Sequence, residues 1–199
     1  LVDVPRNASD DNPDWKLRRE IAAGWFDELK DRYEEMGLEG IYLVAYPDVG
    51  SNNADLPETA YYIVESLPET ANDLELNGKP VTFDSVFTDC QLFMAPTEYS
   101  TTAPLKNAAK QYHFRAATMP GFSPKMLPAL RIDYNEVFRR VSMIKEKVDP
   151  ALFADVTFED DLGNVDKIHF DLRHRPGHLS SGRFPDQGTA GNLPSGETY

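Results

Sequence analysis

Apolar positions recur at a helical spacing early in the chain. Trp15, Ala22, Trp25, Phe26, Leu29, Tyr33 and Met36 form one stripe, the mark of a helix with one face on a core. Asn12 or Asp11 can cap its start, Pro13 suits its first turn, and Gly37 predicts its end. The pattern then changes. "IYLVAY" (41–46) and "CQLFMAP" (90–96) are unbroken apolar runs of strand length, the kind buried on both faces of a sheet. "YHFRAATM" (112–119) reads as a third strand, with a helix from about Ala103 lying before it. Residues 58–66 fit neither period, and "LELNGKPVTF" predicts a hairpin about Asn77-Gly78. Ser123 and Pro124 open a short helix, and Asp133 caps another with Val137, Val141, Ile144 and Val148 on one face. Beyond it, "ALFADVTFED" and "DKIHFDLRH" alternate around Gly163, which predicts an antiparallel pair.

These elements predict an α/β fold: a mostly parallel sheet flanked by helices, with a β-rich C-terminal stretch. The expected organisation is an α/β domain over residues 1–150 and the start of a second, β-rich catalytic domain over 151–199. Loops 47–57, 96–102 and 119–123 leave the C-terminal ends of the three buried strands, so they are expected to converge on one ligand crevice.

Charge narrows the partners. The formal net charge is −13, but residues 1–100 hold 21 Asp and Glu against 7 Lys and Arg, while residues 101–199 hold 12 against 13. The acidic half argues against nucleic acid. An anionic ligand better suits the second half, where Arg173, Arg175 and Arg183 cluster. No apolar run approaches the ~20 residues of a membrane helix, so no membrane partner is expected; a pI near 4.7 suits a cytoplasmic protein, the expectation here, as well as many exported ones. The single Cys90 excludes an intrachain disulfide and reads as a buried, inert thiol. Neither a phosphate-cradling glycine loop nor "GxSxG" or "HExxH" occurs. His174 and His178 are four apart, but Pro176 and Gly177 lie between them, so "RHRPGH" reads as a basic loop rather than a metal-binding helix. Arg18 and Arg19 read as a solvated face, and Thr101 and Thr102 as helix caps.

In "NLPSGE", Pro194 fixes φ and Ser195-Gly196 suits a tight turn that would hold Glu197 in a defined place. A carboxylate presented in this way suits a metal centre. "NLPSGETY", preceded by "GRFPDQG", resembles the Asn-Leu-Pro and Glu block of leucyl aminopeptidases of the aminopeptidase T type. It is also similar to the related 2,5-dihydroxypyridine dioxygenases. "VDVPRNASDDNPDWKLRREIAAGWF", "NNADLP", "APTEYSTTAPL" and "RAATMPGFSPKML" resemble N-terminal blocks of the same group, so the likeness extends over most of the chain.

The resemblance implies a metal-dependent hydrolase of the aminopeptidase type, in which metal-activated water attacks a peptide or amide carbonyl. Glu197 is its implied metal ligand, and zinc, cobalt or manganese its implied metal. The peptidases commonly carry two consecutive glutamates where this chain has Gly196-Glu197, which keeps a non-haem iron ring-cleaving dioxygenase open as an alternative. His178 and Arg183 are candidate catalytic residues, suited in the oxygenase case to an anionic ring. Asp55 or Glu98, on the crevice loops, would meet the terminal ammonium of a peptide substrate. The family's remaining ligands lie further along than Tyr199. The expected partner is therefore a second polypeptide that carries them, in a heterodimer or larger oligomer. A fragment, a split-gene subunit and a cut precursor each account for that arrangement. A non-catalytic binding subunit of a two-chain assembly is the last alternative.

Overall fold

Asn12 caps the first helix, α1 (Pro13–Leu29). Its side-chain oxygen accepts from Trp15 N at 2.9 Å, and Pro13 takes the first turn. The helix stops well short of the expected end at Gly37, with Lys30 N closing the last bond on Phe26 O. Residues 31–37 form separate turns, and Met36 is 51% exposed. A helical turn with no face to bury is not held.

A computed structural model describes residues 1–199, which divide into two compact units. The first comprises Leu1–Ile132 and Phe184–Pro194; the second comprises Asp133–Arg183 and Ser195–Tyr199. The division falls at residue 132 rather than at the expected 150, because the helix after Asp133 belongs with the β-rich stretch.

In the first unit, β1 (Val2–Val4) pairs parallel with β2 (Val44–Pro47), which pairs antiparallel with β3 (Thr59–Ile63), and β3 with β4 (Gly78–Thr82). β5 (Leu92–Ala95) and β6 (Arg115–Thr118) are parallel. These strands belong to two sheets: β1–β4 form a mixed one, rather than the mostly parallel sheet expected, and β5 and β6 lie in a separate parallel one. The reason lies in the connections. A helix, α4 (Thr102–Tyr112), carries the chain back between β5 and β6, as a parallel neighbour requires. No helix separates β2 from β3, so the chain simply turns back. The expected hairpin at Asn77-Gly78 is likewise corrected. Residues Leu74–Asn77 are a helical turn, α2, with Leu74 fully buried, and β4 starts at Gly78 and pairs with β3. A side chain at Gly78 would place its Cβ 3.0 Å from Tyr61 Cβ.

Apolar clusters cover both faces of β2, as its unbroken run predicts, but β5 is covered on one face only, with Leu92 and Met94 exposed on the other. On one side Val44, Tyr46, Phe93 and Ala116 pack with α4 and with α3 (Phe83–Asp89). There Phe83, Phe87, Phe93 and Phe114 make a chain of ring contacts with centroids 4.6–5.6 Å apart. On the other side Val2, Val4, Leu43 and Ala45 pack with Ala22 of α1. A short helix, α5 (Leu127–Leu130), completes a third cluster around Met119 and Phe122. No helix of the molecule is long and apolar enough to cross a membrane.

His113 ends α4 in the left-handed conformation, with φ 62°. Glycine adopts that geometry without a side-chain clash. A His113→Gly variant is expected to be more stable by about 0.5–1 kcal/mol, read as a higher urea midpoint. A lower midpoint would show that the packing of the imidazole matters more than the backbone.

The second unit opens with α6 (Tyr134–Val148), capped by Asp133 through Asn135 N at 2.9 Å, as predicted. β7 (Phe153–Glu159) and β8 (Val165–Asp171) form the expected antiparallel pair, turning at Gly163, whose φ is 80°. The chain then runs through β9 (Leu179–Ser180) and re-enters the first unit as β10 (Ala190–Asn192), parallel to β6 on its open edge. It ends in the second unit as β11 (Glu197–Thr198), antiparallel to β9.

Candidate functional site

The loops leaving the C-terminal ends of the first unit's strands do meet. Asn53 N donates to Ser100 O at 2.7 Å, and Ser100 N to Asn52 Oδ1 at 2.8 Å. Asn53, at φ 61°, turns its amide oxygen to Ala103 N at 2.9 Å and so caps α4 from another loop. The threonines expected to do this do not. Thr101 makes no side-chain cap, and its Oγ1 is buried without a partner. Thr102 Oγ1 joins Thr118 Oγ1 at 2.8 Å and Asn192 Oδ1 at 2.7 Å. Gly121 N reaches Thr97 O at 2.9 Å, which brings in the loop after β6. "NNADLP", "TEYSTT" and "GNLP" are thus joined through hydroxyl and amide groups.

Beside these loops lies a buried charged group. Asp3 is 1% exposed and accepts from Glu98 N at 2.8 Å, Tyr99 N at 3.0 Å and Trp15 Nε1 at 3.1 Å. Burial pushes its carboxyl up to about 6, although these donors oppose the shift. The Tyr46 hydroxyl, also buried and without a partner, is pushed well above its ordinary value by burial and by the charges of Asp3 and Asp48. Arg18 and Arg19 are buried, not solvated. Arg18 donates to Phe122 O at 2.9 Å and is paired with Glu98, while Arg19 grips Asp11 with two bonds at 2.8 and 3.1 Å.

Glu98, expected to meet a substrate ammonium, is therefore already neutralised by Arg18. Asp55 is exposed on the neighbouring loop. The other three expected site residues belong to the second unit. Glu197 lies opposite Ser180 in the β9–β11 ribbon, and His178 and Tyr199 extend it by exchanging backbone bonds. Side chains alternate along a strand, so His178, Ser180, Glu197 and Tyr199 share one face. Leu179 and Thr198 take the other, and Thr198 Oγ1 donates to Val141 O of α6 at 2.8 Å. The tight turn expected at Ser195-Gly196 is a bend at Leu193 and Pro194. The Tyr199 ring lies 5.0 Å from the His178 imidazole. Arg183 is exposed, its guanidinium 4.9 Å above the Phe138 ring.

A carboxylate and an imidazole are the right kinds of donor for zinc or a similar ion, but a centre needs about four. No group of three or more His, Cys, Asp or Glu comes close enough to hold a metal ion. The residues of this chain do not make a metal centre by themselves.

No family model, curated protein or solved structure matches the chain.

Asp3, Arg18, Asn53 and Asn192 had escaped the sequence pattern. Two carried a signal. Asp3 is a lone charge between Val2 and Val4, and Arg18 stands three residues from Trp15 and four from Ala22, on the apolar stripe of α1.

Proposed function

We propose that the chain forms part of a metal-dependent hydrolase of the aminopeptidase type, with Glu197 as one ligand of a divalent metal ion. One observation carries this reading: Glu197 and His178 stand on the same face of the β9–β11 ribbon. The resemblance of "NLPSGETY" to the aminopeptidase block supports the same glutamate. Two donors fall short of a centre, so the reading requires further ligands from a second polypeptide. Zinc, cobalt or manganese bound there would supply an activated water and a polarised carbonyl.

The chain's own part is positioning. Tyr199 packs against the His178 ring. Arg183 keeps an exposed guanidinium able to grip a carboxylate. Asp55 and Glu98, the two acids expected for a substrate ammonium, belong to the first unit, and Glu98 is held there by Arg18.

Metal analysis of the active, assembled protein tests the reading. A Glu197→Gln variant is expected to retain metal at least about 10–100-fold more weakly, the loss seen when even a supporting group is removed. Intact-mass analysis should find a second polypeptide beside the 22.4 kDa chain. Unchanged metal and activity in the variant would overturn the reading and leave a non-catalytic binding subunit. Iron with uptake of O2 would assign the site to ring cleavage instead.

A further inference from the structure

The second unit carries an open cavity of about 430 Å3 at its surface, lined by residues 149–152 after α6 and 172–176 after β8, most of them exposed. Its walls are of two kinds. Pro150, Ala151, Leu152 and Leu172 form an apolar side, with Leu152 64% exposed. Arg173, His174 and Arg175 form a cationic side.

Most of the charge around the cavity is already matched. Arg173 is engaged by Asp171 through Nε at 3.0 Å and Nη2 at 2.6 Å. Asp149 takes Lys145 Nζ at 2.8 Å and Gly177 N at 2.9 Å. These bonds, more than the nearby charges, hold both aspartates below their ordinary range. Arg175 is different. Its backbone N donates to Leu172 O at 3.0 Å, while its exposed guanidinium acts on Asp171 through space and without a hydrogen bond, which leaves its donors free. Beside it, His174 sits at φ 63°, a conformation that costs a residue with a side chain about 1 kcal/mol. Local backbone cost of this kind gathers at binding sites.

We propose that the cavity binds a carboxylate carried on an apolar body, with Arg175 as its anchor. A guanidinium and a carboxylate match as two parallel hydrogen bonds, and the wall of Pro150, Leu152 and Leu172 covers the apolar part. A bare phosphate would leave that wall facing water. The C-terminal residue of a peptide and a free organic acid both have this chemistry. The site shares no residue with the Glu197 face and stands or falls separately from it.

Backbone amide NMR of the full chain tests the proposal with N-acetyl-leucine, its neutral amide and isocaproate. N-acetyl-leucine is expected to shift the amides of Asp149, Ala151, Leu152, Leu172, Arg173, His174 and Arg175 saturably. The neutral amide, and the acid with an Arg175→Gln variant, should bind about tenfold or more weakly, as loss of a charge-assisted bond predicts. Arg175 is exposed, so the variant's spectrum should otherwise be unchanged. Tighter binding of N-acetyl-leucine than of isocaproate would assign the site to peptide C-termini, and parity would assign it to free acids. Equal binding of acid and amide, no saturable shift, or an indifferent Arg175→Gln would each overturn it.

Discussion

Between pH 4 and pH 7, an Asp3→Asn variant is expected to gain about 2–3 kcal/mol of stability relative to the parent chain. The parent carboxyl has an ordinary value of 3.8 and is pushed up to about 6 in the fold. In that window the folded chain holds a proton that the unfolded chain has released. The contribution is complete below 3.8 and is lost as pH rises through 6. Asparagine does not titrate, so the difference between the two stability curves isolates Asp3 from the other carboxylates. Urea unfolding of both chains at intervals of pH would measure it. Parallel curves would mean that the bonds from Glu98 N and Tyr99 N outweigh burial and keep Asp3 an ordinary acid.

Replacing Trp15 by alanine is expected to cost about 4 kcal/mol, near the upper range for deleting a buried aromatic side chain. Trp15 is 2% exposed, with the Tyr99 ring edge-on at 5.9 Å and the Arg19 guanidinium 5.8 Å above it. Its Nε1 also donates to the backbone oxygen of Asp3 at 3.1 Å. A Trp15→Phe variant keeps most of the ring and removes only the donor, so its cost should be about 1–2 kcal/mol. The alanine variant should also speed hydrogen exchange at Glu98 and Tyr99, whose amides rest on the carboxylate that Trp15 holds. Equal losses in the two variants would show that the indole N–H, and not the ring, supports this corner.

The start of α1 is legible in the sequence because Asn12 and Pro13 act on residues beside them. Its end is not, because Gly37 offers a stop that the helix never reaches without something to pack against. Arg18 and Arg19 read as a surface pair for a related reason. The partners of Arg18, Glu98 and Phe122 O, lie 80 and 104 positions away, and no local period reveals them. The meeting of the loops after β5 and β6 follows from topology, since parallel neighbours bring their C-terminal ends to a common edge, but the loop after β2 comes from another sheet. Which groups join them does not follow, because Asn53 reaches α4 only through a left-handed backbone. The shared face of His178 and Glu197 needs the β9–β11 register, which a two-residue strand cannot announce.

The pairing of β10 with β6 also bears on how the protein is made. Thr118 and Asn192, joined in the finished sheet, are 74 positions apart. At about 5–20 residues per second, a ribosome needs about 4–15 seconds to cover that distance. Throughout that interval one side of β6 presents unpaired amides and carbonyls to any passing strand. Closure by so distant a segment is also slow. The nascent chain is therefore most open to misassembly just before its last strand in the first unit arrives, and a chaperone that shields β6 would act in those seconds.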